Sequence, residues 1–66
     1  MTNYQIAKAA LKTLAKELKN NTDKPYIRLM LNSEADLLCK DLNLTNYQAD
    51  LLANYVCKLH PKDASN

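Results

Sequence analysis

Sixty-six residues make one domain, and a chain this short buries a smaller fraction of its surface than a typical domain, so its core is marginal and an added contact would help it. The absence of glycine and the 47% hydrophobic content favour helices over an all-β fold with Gly-punctuated turns, and they exclude a glycine-rich phosphate loop. The net charge of +2 is unevenly spread, because residues 1–28 carry +4 and the remainder −2.

Along the first segment Tyr4, Ala7, Leu11, Leu14 and Leu18 recur at steps of three and four, the spacing of one helix face. That face should pack inward, with Lys8, Lys12, Lys16 and Lys19 in a stripe beside it. Asn20-Asn21-Thr22 ends the helix, since these side chains compete for backbone hydrogen bonds. Thr22 or Asp23 can cap a second helix, and Pro25 suits its first turn, where a missing N–H costs nothing.

A continuous helix through Asn32-Ser33 to Leu42 would place Glu34 and Asp41 at the centre of the stripe Ile27, Met30, Leu31 and Leu38. Two carboxylates without partners would then be buried. A break at Asn32-Ser33 is therefore expected, with Ser33 capping a third helix by accepting from the Asp36 N–H. The alternation of residues 26–31 also permits a strand, so helix or strand stays open there. After Leu42-Asn43-Leu44, Thr45 and Gln48 form a capping box for the last helix. Pro61 ends that helix, with Lys58 and His60 near a terminus whose dipole favours cations.

The expected fold is all-α: a compact single-domain bundle of four short helices, at about 3–20, 24–32, 33–42 and 45–60. Residues 1–61 form the domain and 62–66 a frayed tail. No apolar run reaches bilayer-spanning length, and Met1 is followed by polar Thr2, Asn3 and Tyr4 instead of a leader. A cytoplasmic protein away from membranes is expected, with Cys39 and Cys57 as free thiols.

The last two helices supply a small residue in the first helix (Cys39), Asn43 at a turn position usually held by glycine, Leu44 straight after it, and Ala49 and Leu52 facing inward. Over residues 35–54 this resembles the helix-turn-helix of bacterial and phage regulators. The resemblance implies that Asn46, Tyr47, Asp50 and Leu51 face a DNA major groove, with Gln48 at the edge of that surface. Asn46 could read a base. Asp50 and Leu51 fit poorly, and no cation lies between Lys40 and Lys58 to contact phosphates. Lys8, Lys12, Lys16 and Lys19 could supply those contacts from the first helix.

Ala49, Leu52, Val56 and Leu59 suffice as the core stripe of the last helix. Tyr47, Leu51 and Tyr55, at steps of four, then form a second ridge, and two tyrosines around a leucine suit a protein interface. The favoured function is a non-enzymatic protein-binding module, of the adaptor or inhibitor type that phages and mobile elements encode, which binds a protein partner or a second copy through this ridge. The alternative is a helix-turn-helix DNA-binding regulator.

Catalytic readings have little to draw on. His60 is the single histidine and stands beside a proline, a poor setting for a general base. Cys57 and His60 could share a helix face, but a zinc site would need Cys39 and a fourth ligand. No metal, cofactor or small-molecule substrate is expected. Wheel position turns Cys39 toward the core and Cys57 away from it.

Overall fold

The computed structural model describes residues 1–60, which form three helices: α1 (Asn3–Glu17), α2 (Lys24–Asp41) and α3 (Asn46–Leu59). Among these residues there is no strand, and residues 26–31 are helical. The expected end of α3 at Pro61 and the tail at 62–66 lie outside the described residues.

Each helix begins at a side-chain cap. Thr2 and Gln5 form a full capping box, in which Thr2 Oγ1 accepts from the Gln5 N–H at 3.1 Å and Gln5 Oε1 accepts from the Thr2 N–H at 2.9 Å. The same reciprocal pair recurs at Thr45 and Gln48, at 3.1 and 3.0 Å. Asp23 caps α2 by accepting from the Tyr26 N–H at 3.1 Å, with Pro25 in the first turn.

The turn after α2 is set by one residue. Asn43 has φ 52°, the left-handed conformation that Asn tolerates better than most residues. The Leu44 N–H then reaches the Cys39 carbonyl at 3.0 Å and the Asn43 N–H reaches Lys40 at 3.3 Å. This pair of bonds is a Schellman motif, with Asn where glycine usually stands. Asn3 Nδ2 donates to the Leu42 carbonyl at 3.0 Å, tying the start of α1 to the same corner.

Helix α2 does not break at Asn32-Ser33. Its buried stripe is Ile27, Leu31 and Ala35, continued by half-buried Leu38 and Leu42. This seam is rotated away from Met30, so Glu34 lies at its flank and Asp41 in solvent. The burial penalty that argued for a break therefore never arises. Ser33 is an exposed mid-helix residue with no capping role, and the expected four helices are three.

Every helix packs on the other two. The core holds Ala7 and Leu11 from α1, Ile27, Leu31 and Ala35 from α2, and Leu52 and Val56 from α3. Tyr4, Leu14, Leu18, Tyr55 and Leu59 pack around it. Among the described residues no polar side chain is buried. The far end of α3 is held by Arg28, whose Nη2 donates to the His60 carbonyl at 2.6 Å and whose Nη1 approaches Cys57 Sγ at 3.8 Å.

Both cysteines are free, Cys39 half-buried and Cys57 exposed, as wheel position indicates. Burial first, and the Asp36 carboxylate second, push the Cys39 thiol up from its ordinary range. Only the thiolate attacks alkylating reagents. Iodoacetamide at neutral pH should thus modify Cys57 several-fold faster than Cys39 in the native protein, and the two at similar rates in denaturant. Faster native labelling of Cys39, followed by mass spectrometry, would mean that α2 is rotated from the position described.

Candidate partner-binding surface

The ridge on α3 is only partly free. Tyr47 is 72% exposed, whereas Leu51 and Tyr55 are half-buried. Helix α1 covers the remainder, because it runs in the same direction as α3 and brings Tyr4 and Lys8 alongside. Tyr55 packs on the core. Leu51 does not belong to that layer; with Tyr4, Lys8 and Tyr55 it lines an open depression whose rim is Asn54 and Lys58.

Lys8 sits between the rings. Its Nζ lies 4.9 Å from the Tyr55 ring centroid and 5.6 Å from that of Tyr4, within the range of cation–π attraction. The sequence assigns the tyrosine ridge and the lysine stripe to two different functions. The structure joins them at Lys8.

Below this point the lysines continue along the α1–α3 seam. Lys8 and Lys12 border a second shallow depression with Tyr55. Lys12, Lys16, Lys19 and Lys24 then rim a cleft of about 420 Å³ at the end of the bundle, floored by apolar side chains that include Ile27 and Leu59. Among the described residues, none of the three hollows is lined by a carboxylate. The acids Glu34, Asp36 and Asp41 belong to α2, and Asp50 is exposed on α3. The seam is thus a cationic strip with an aromatic and leucine patch at one end.

The residues of the DNA reading are arranged differently. Asn46 and Tyr47 are exposed at the start of α3. Gln48 is half-buried and its side chain is engaged in the capping box. Lys8 is level with Tyr55, and Lys12, Lys16 and Lys19 lie farther along, near Leu59 and His60. The cations therefore flank the second half of α3, while the residues suited to base contact stand at its first turn.

Cys57 and His60 do not form the beginnings of a ligand set. Arg28 spans them, binding the sulfur of one and the backbone carbonyl of the other. Among the described residues no three His, Cys, Asp or Glu side chains come together as a metal site. Among the described residues, no helix is long and apolar enough to cross a membrane.

Tyr4 packs on the core, as the periodicity of α1 places it, and it also lines the depression beside Leu51. The Tyr4–Lys8 spacing of four was legible as a same-face pair. That α1 lies beside the α3 ridge is a tertiary fact with no local signal. The fold is a three-helix bundle, an architecture common to many functions. Comparison with known proteins finds no matching family model, no matching curated protein and no matching solved structure.

Proposed function

We propose that the protein is a non-enzymatic binding module whose α1–α3 seam engages a protein partner, with Tyr47, Leu51 and Tyr55 from α3 joined by Tyr4 and Lys8 from α1. The observation that carries this reading is the placement of half-buried Leu51 between two tyrosines, outside the core layer and open to solvent. An apolar side chain in a pocket ringed by aromatics is the usual centre of a protein interface. The flanking lysines favour an acidic partner surface and suppress basic ones.

DNA binding is the second reading, favoured by left-handed Asn43 in the short turn between α2 and α3. It is weaker because recognition helices read bases from their first turns, and here the lysines lie toward the other end. Asp50 also stands on the outward face of α3 and would meet phosphate.

The test is a paired pull-down from lysate, run with and without nuclease, using the wild-type chain and Leu51→Glu. A stoichiometric protein retained by the wild type and lost by the variant, whose circular dichroism is unchanged, is the expected result. Its binding should weaken with salt less steeply than a phosphate-backbone complex does. Retention by Leu51→Glu, or recovery that depends on nucleic acid, would overturn the proposal.

A further inference from the structure

The largest exposed leucines lie on neither of the surfaces discussed above. Leu29 is 61% exposed, Leu37 55% and Tyr26 42%, all on the outward side of α2. At about 100° per residue, Tyr26, Leu29, Ser33, Leu37 and Lys40 fall within an arc of about 80° centred on Ser33. This arc lies opposite the Ile27, Leu31 and Ala35 stripe. Met30 borders it on one side and exposed Asp36 on the other, at equal angles from Ser33, and Met30 lies outside the layer packed on the core. An 18-residue helix thus has two apolar faces, only one of which the bundle uses.

We propose that the second face is covered by a second copy of this chain, with the two α2 helices antiparallel about a two-fold axis at Ser33. The pattern is complementary to itself when reversed. Four residues either side of Ser33 stand Leu29 and Leu37, and seven residues either side stand Tyr26 and Lys40. Antiparallel pairing therefore sets each Leu29 against the partner's Leu37 and each Tyr26 against the partner's Lys40. The axis falls on Ser33, whose small side chain lets the helices approach.

A two-fold interface requires this property, that one patch match itself. A lysine over a tyrosine ring is a contact the chain already makes at Lys8. A parallel pair would instead oppose Lys40 to Lys40. Because the outward face of α2 points away from the α1–α3 seam, the dimer presents two seams on opposite sides. The α2 pairing stands independently of what the seam binds.

Sedimentation equilibrium of the full chain tests the pairing. The wild type should dimerise, and Leu29→Glu and Leu37→Lys should each raise the dimer dissociation constant at least tenfold with unchanged helical content, since both positions are exposed. The double variant Leu29→Glu/Leu37→Lys should dimerise again, because the antiparallel register sets each new carboxylate against a new ammonium of the partner. A monomeric wild type, single variants that still dimerise, or a double variant as weak as the singles would each overturn the proposal. So would a dimer lost only on Leu51→Glu, which would place self-association at the seam.

Discussion

Ser33→Pro should cost about 3 kcal/mol or more and lower the urea midpoint of the chain sharply. Proline within a helix removes the bond from residue 33 to the carbonyl of Leu29, and its ring strikes that carbonyl. A domain of this size has roughly 3 to 10 kcal/mol of stability in total, so one such change consumes much of it. Ser33 is exposed, and no core packing is lost with its hydroxyl. At concentrations where the chain is monomeric, the experiment therefore isolates the backbone. If the chain broke into two helices at Asn32-Ser33, proline at 33 would stand at a helix start and be tolerated. Urea denaturation followed by circular dichroism separates the two cases; a midpoint near that of the wild type would contradict a continuous α2.

Leu31→Ala is expected to be comparably damaging for a different reason. Leu31 is 0% exposed and lies in the centre of the layer formed with Leu11, Leu52 and Val56. Truncating a buried leucine removes its transfer energy and leaves a cavity, at a cost of about 2–5 kcal/mol. The neighbouring substitution Leu29→Ala removes the same atoms from a side chain that is 61% exposed, and the loss should be much smaller at concentrations where the chain is monomeric. Thermal unfolding of the two variants side by side checks the assignment of faces on α2. Similar melting temperatures would mean that the buried seam has been misplaced.

These two cases also mark where the sequence was informative. The N-caps at Asp23 and Thr45 and the left-handed turn at Asn43 follow from local chemistry, and all three are found. The inward faces of α1 and α3 follow from strong periodicity and are likewise found. The pattern of α2 is ambiguous because apolar residues lie on both sides of it. Weighting Met30 as core rotates the expected stripe toward Glu34 and Asp41, and the apparent remedy is a break. Small Ala35 in place of Met30 resolves the conflict, since Ala35 lets α2 lie close to its neighbours. Which of two apolar faces a helix buries is decided by the other helices.

The seam is partly legible for the same reason. Tyr47, Leu51 and Tyr55 stand out on one helix and the lysines on another, as separate patterns. Their meeting depends on the parallel run of α1 and α3, which follows from an even number of reversals and not from either local sequence. The capping box at Thr2 and Gln5 was readable in principle, as serine or threonine followed three residues later by glutamine. It escapes notice because it stands at the first residues of the chain, before the periodic pattern is established.

The separation of charge has an effect that reaches beyond contact distance. Lysines crowd the α1–α3 seam and the end of the bundle at Lys19 and Lys24, where Glu17 and Asp23 offset them in part, while Glu34, Asp36, Asp41 and Asp50, with Lys40 among them, lie toward the other end. With a net charge of only +2, the uneven spread of charge matters at least as much as its total. In the field of a charged partner it rotates before it collides, and the face that leads is chosen within a few Debye lengths of encounter. A chain with so little surface to spare thereby shortens its search for the right orientation.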